Sequence, residues 1–70
     1  MSDFYVALGE RVKDKRLALK LTREKLAAAA QISDKFLYDI EVGKKGLSAE
    51  NLFKLAKALG VSADFLMEGD

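Results

Sequence analysis

The sequence predicts an all-α fold, a bundle of five short helices. Three observations carry that prediction. Apolar residues recur at helical spacing in successive short segments. A Ser or Thr stands just before most of these segments, where its hydroxyl can accept the orphan N–H groups of a first turn. No Pro occurs in 70 residues, so no ring breaks a helix. The intervening connections have the two to six residues that are ordinary between packed helices.

The first helix is expected over about 4–19. Tyr5, Leu8, Val12 and Leu19 fall within one narrow arc at 100° per residue, and Ser2 or Asp3 is placed to cap it. Lys15 lies inside that arc, its stem covering apolar surface while the ammonium reaches solvent. Leu21 packs as the chain turns. The second helix, about 22–30, opens on Thr22 and buries Leu26, Ala27 and Ala30. Ala27 is small enough for two backbones to cross closely, whereas Ala28 and Ala29 supply helix propensity. Gln31 and Ile32 form a tight turn, with Ile32 filling the corner. The third helix, about 33–42, opens on Ser33 and turns Leu37 and Ile40 inward. By angle Lys35, Tyr38, Asp39 and Val42 point outward, with Asp34 near the exposed start. Gly43 ends this helix with positive φ, and Lys44-Lys45-Gly46 makes a loop. Ser48 caps a fourth helix, about 48–59, whose stripe is Leu52, Leu55, Ala56 and Leu59, closed by Gly60. Val61 bridges to a fifth, about 62–67, capped by Ser62 and carrying Phe65 and Leu66.

Without linker, low-complexity segment or internal repeat, residues 1–70 are expected to form a single domain. Such a small chain buries only about 60% of its unfolded surface, so association would help it. Cys and His are both absent, which excludes a disulfide framework, a zinc site of Cys and His, a Cys nucleophile and a His-based triad. An enzyme is therefore not expected, nor a cofactor, a metal or a small-molecule ligand. No apolar run approaches the roughly 20 residues needed to span a bilayer, and no signal pattern opens the chain, so a cytoplasmic setting is expected. Twelve basic residues against eleven acidic give a net charge of +1, which by itself argues slightly against nucleic acid. Distribution says more. Arg11, Lys13, Lys15, Arg16, Lys20, Arg23 and Lys25 gather early and Lys44 and Lys45 follow, while Asp64, Glu68 and Asp70 make the end acidic.

Thr22 to Gly43 reads as two helices meeting at a tight turn, one face buried and the other presented. That geometry is a helix-turn-helix, whose second helix is shaped to lie in a major groove. From Leu8 to Leu66 the sequence also resembles the phage-repressor-like family of the Cro and lambda-repressor, or XRE, type. The matching residues are Leu8-Gly9-Glu10-Arg11-Val12 and Arg16, then Leu26-Ala27, Ile32-Ser33, Leu37, Ile40-Glu41 and Gly43. Leu52, Leu55-Ala56-Lys57-Ala58-Leu59-Gly60-Val61-Ser62 and Leu66 complete them. The resemblance implies a compact five-helix domain that binds double-stranded operator DNA as a homodimer, with Ser33 to Val42 as recognition helix. It also implies a salt bridge between Arg16 and Glu41, which agrees with both residues bordering their buried stripes. Departures occur at Lys20 and Gln31, where the family often has Gly, and at Arg23, where it commonly has Gln. Arg suits a phosphate better.

The expected function is that of a sequence-specific transcriptional regulator. Thr22, Arg23, Lys44, Lys45 and Ser48 would hold phosphates, together with backbone N–H groups opening the second and fourth helices. Ser33, Asp34, Lys35, Tyr38 and Asp39 are the candidates for base reading. Lys35 can donate to guanine O6 and N7, and Tyr38 can bond an edge or meet a thymine methyl. The two carboxylates are harder to place. Asp34 complements the helix dipole as readily as it accepts from a cytosine amino group, and Asp39 has Lys35 four residues before it. Leu47, Phe65 and Met67 are candidates for the contact between copies, with core packing as the competing role for Leu47 and Phe65. The alternative function, favoured by the near-neutral charge and the acids on the third helix, is a protein–protein module on the same scaffold.

Overall fold

The computed structural model describes residues 2–69, so Asp70 of the acidic end lies outside the described residues. Five helices follow one another: α1 (Asp3–Ala18), α2 (Arg23–Ala30), α3 (Asp34–Glu41), α4 (Ala49–Leu59) and α5 (Ala63–Glu68). Each begins on a hydroxyl residue. Ser2, Thr22, Ser33, Ser48 and Ser62 hold extended backbone, and their side-chain oxygens accept from the amides of Phe4, Lys25, Phe36, Asn51 and Phe65. Helix starts are thus written locally, one side chain at a time.

The ends of α1 to α4 share a second device. After each, one residue takes left-handed backbone and the next amide bonds to a carbonyl five residues back: Leu21 to Arg16, Ile32 to Ala27, Lys44 to Asp39 and Val61 to Ala56. This is the Schellman termination, which satisfies orphan carbonyls and reverses the chain. Gly43 and Gly60 occupy the left-handed position after α3 and α4, but Lys20 and Gln31, each at φ 59°, occupy it after α1 and α2. The two departures from the pattern that the sequence resembles, Lys20 and Gln31, therefore both lie at left-handed positions.

One core serves all five helices. Leu8, Val12, Leu26, Ala27, Ala30, Leu37, Ile40, Leu55, Ala56, Leu59 and Leu66 are buried, with Ile32, Leu52 and Val61 half-buried against them. Burying each large aliphatic side chain contributes about 1.5–3 kcal/mol. Two backbones approach closely at Gly9, where an added Cβ would overlap the carbonyl oxygen of Ile40. Gly9 is thus what lets α1 lie against the end of α3. Arg11 closes the far side by donating to the Leu66 carbonyl at 3.0 Å. Leu19 departs from its expected place in the buried arc: α1 ends one residue before it, and as C-cap it is 44% exposed.

Arg16 crosses the middle of this frame. Its Nε donates to Glu41 Oε2 at 2.7 Å, its Nη2 to Glu41 Oε1 at 3.1 Å, and its Nη1 to the Leu21 carbonyl at 3.0 Å. Both side chains are buried. The hydrogen bond to Glu41 raises the guanidinium pKa above its ordinary value, aided by the charges of Glu41 and Asp34 and opposed by burial.

Two stability outcomes follow from these geometries. Arg16→Met strands the Glu41 carboxylate and should cost ~3 kcal/mol in urea unfolding, much of which Arg16→Met/Glu41→Leu should recover; a single variant that unfolds at the wild-type urea concentration would refute the buried pair. Lys20→Gly and Gln31→Gly each relieve left-handed strain and should add about 1 kcal/mol, or about 4–8 °C in Tm. A fall in Tm on both changes would contradict that assignment.

Candidate nucleic-acid interface

The exposed surface of α3 is the ridge on which most candidate residues meet. Helices of eight residues are not stable alone in water, so this ridge exists because Leu37 and Ile40 dock it into the core. Outward stand Asp34, Lys35, Tyr38 and Val42. The Lys35 side chain is 81% exposed and Tyr38 is 45% exposed, so neither serves the monomer's core.

Two polar clusters flank the ridge. On the α2 side, Arg23 reaches across the turn, its Nε 3.3 Å from Asp34 Oδ1 and its guanidinium carbon 5.0 Å from the Tyr38 ring centroid. Both ionic partners are substantially exposed, so the pair itself contributes only about 0–1 kcal/mol. Its effect is to align a planar cation along the edge of the ridge. Asp34 is thereby engaged by Arg23 as well as standing in the first turn of α3.

On the other side lies the main departure from the angular reading. Asp39 does not face outward; it is 2% exposed. The wheel places it on an outer flank, away from the core stripe, but the Schellman turn at Gly43 brings the chain back along that flank. Lys44 N donates to the Asp39 carbonyl, and Lys45 Nζ lies 3.7 Å from Asp39 Oδ2. Lys35 Nζ approaches the same oxygen at 3.4 Å. Asp39 is therefore withdrawn from the base-reading candidates, because a side chain so covered cannot reach a groove.

Thr22, Ser33 and Ser48 are exposed, their oxygens occupied as helix caps. A capping hydroxyl accepts through oxygen and keeps its own O–H free to donate, so the cap leaves a phosphate contact open. Lys44 and Lys45 are exposed on the loop after α3. Around the ridge, the cations Arg23, Lys35, Lys44 and Lys45 outnumber the carboxylates Asp34 and Asp39. Leu47, Phe65 and Met67 are half-buried and pack against the core, which leaves each only part of its surface for a partner.

Two features were beyond the linear pattern. The stacking of Arg23 on Tyr38 joins residues on different helices, and only the length of the turn between them hints at it. Phe53 is the other: at 62% exposure it borders an open groove of about 470 Å³ with Ala29, Gln31, Glu50, Lys54, Lys57 and Ala58. That groove belongs to α2, the turn after it and α4, and takes no residue from α3. Among the described residues, no group of three or more Asp or Glu side chains is placed to hold a metal ion, and no helix is long and apolar enough to cross a membrane.

Comparison with known proteins bears on this geometry. Residues 12–66 match the family model described as helix-turn-helix. An uncharacterised transcriptional regulator in the ATPase CF(0) region of Rhodospirillum rubrum is 38% identical over 58 residues, covering 83% of this chain and 54% of that protein. Control protein C.BamHI of Bacillus amyloliquefaciens is 34% identical over 61 residues, covering 86% of this chain and 75% of its own. The c2 repressor of Salmonella phage P22, solved in complex with a synthetic operator, superposes with a TM-score of 0.86 at 33% identity, covering 90% of this chain and 96% of that one. The chain spans about half the length of several curated relatives that it matches. With the family model covering most of the chain and the fold shared at this level, the chain belongs to the phage-repressor-like, XRE-type family of helix-turn-helix proteins.

Proposed function

We infer that this domain is a sequence-specific DNA-binding transcriptional regulator, acting in the cytoplasm and reading a pseudo-palindromic operator as a homodimer. The observation that carries the reading is the state of α3: it is docked by its apolar side while Lys35 and Tyr38 are exposed to solvent on the other. The operator complex of the similar P22 repressor supports it. Ser33, Lys35 and Tyr38 read base edges, Lys35 through guanine O6 and N7 and Tyr38 through an edge or a thymine methyl. Asp34 tunes this by holding Arg23. Thr22, Arg23, Lys44, Lys45 and Ser48 hold the phosphate backbone, aided by the first amides of α2 and α4. Surface left on Leu47, Phe65 and Met67 joins two copies, setting half-sites about 34–36 Å apart.

A second reading is favoured by Phe53 and its groove, the most exposed large apolar side chain among the described residues. Under it the scaffold docks a protein through α2 and α4, and α3 touches no duplex.

Selection from a random duplex pool separates the two. The regulator should enrich a pseudo-palindrome; no enrichment at low salt would favour the docking module. On the enriched duplex, log K against log salt should fall by about 0.9 per phosphate contacted, and Lys44→Ala/Lys45→Ala should flatten that slope by about two. Lys35→Ala should leave the slope nearly unchanged and relax preference at one base pair. A uniform loss across all duplexes on Lys35→Ala would remove it from base reading.

A further inference from the structure

We propose that Asp39 is a positioning residue for DNA recognition, a buried carboxylate that fixes Lys35 and Lys45 relative to one another. The proposal rests on the regulator reading above. Asp39 has an unusual environment: its side chain is 2% exposed, Oδ1 has no hydrogen-bond partner, and Oδ2 is shared by two ammonium groups at 3.4 and 3.7 Å. Stability alone gives little reason for it. A covered, half-satisfied carboxylate is costly, and an apolar residue would suit that flank of α3 better.

The partners explain the arrangement. Lys35 belongs to the recognition helix and Lys45 to the loop behind it, so one is placed for bases and the other for backbone. Their side chains are 81% and 61% exposed, long and flexible, and each would lose rotamer freedom on meeting DNA. Anchoring both to one fixed oxygen takes part of that loss before binding. It also sets the spacing between the base contact and the phosphate contact, which is the register of the helix in the groove. The negative charge has a further consequence. It offsets attraction to phosphates at every sequence alike, as the placing of Lys45 aids every sequence alike, whereas the placing of Lys35 helps only where the matching base is present. Asp39 therefore widens the gap between operator and bulk DNA by both routes.

Asp39→Asn tests this with little change of shape. In the free protein, NMR order of the lysine side-chain methylenes should be higher at Lys35 and Lys45 than at Lys44, and should fall to the Lys44 level in the variant. Equal order in the wild type overturns the anchoring, and this arm needs no variant to fold. Affinities are then measured for the pool-selected duplex and for a scrambled duplex of equal length at one salt concentration. Their ratio should drop about tenfold in the variant while scrambled-duplex binding holds or tightens. Parallel changes that preserve the ratio overturn the recognition role. Recovery of no duplex from the pool overturns that role together with the regulator reading, and is told apart from failure of the anchor because lysine order is read without DNA.

Discussion

The guanidinium of Arg16 lies where three segments converge, and most of the presented surface depends on it. Its two-pronged contact fixes Glu41 at the end of α3, while its remaining nitrogen fixes the Leu21 carbonyl just before α2. Hydrophobic packing is non-directional and would accept small rotations of an eight-residue helix. A planar fork against a carboxylate would not, since both bonds must be kept at once. Gly9 completes the constraint by letting the α1 backbone reach the Ile40 carbonyl without a side chain between them. The pitch of α3 is thus set from behind, by polar and steric terms, while its core residues hold it down.

Two clusters of charge flank α3 on that frame. Arg23 leans across the turn onto Asp34 and Tyr38, and Lys35 and Lys45 converge on Asp39. A net charge of +1 for the chain says nothing about such placement. Carboxylates that look unfavourable beside DNA in the sequence are, in space, paired with arginine and lysine.

Much of the fold was legible because its instructions are local. A hydroxyl marks the starts of α2 to α5, with Ser2 or Asp3 open for α1, and the apolar spacing marks the docked faces of α2, α3 and α4. The pairing of Arg16 with Glu41 came from resemblance and from both residues bordering their stripes. What escaped was whatever depends on how the chain returns. A helical wheel places Asp39 outward because it knows one helix only; the turn at Gly43 folds the following loop over it. Leu19 was assigned to an arc that the helix, ending one residue earlier, never completes. Lys20 and Gln31 conceal left-handed backbone behind side chains that do not advertise it, and only comparison with a glycine-bearing pattern exposed them. Arg23 is expected from the sequence to meet phosphate, but its place over the Tyr38 ring is not legible there.

On the proposed reading α3 and its two flanks, rather than the Phe53 groove, form the working surface. Backbone amide shifts measured while titrating the labelled protein with its selected duplex test this most directly. Changes should concentrate at Thr22–Arg23, Ser33–Tyr38 and Lys44–Ser48, with Ala29, Phe53 and Ala58 little affected. Changes centred on Phe53 and its neighbours, with α3 unmoved, would contradict it.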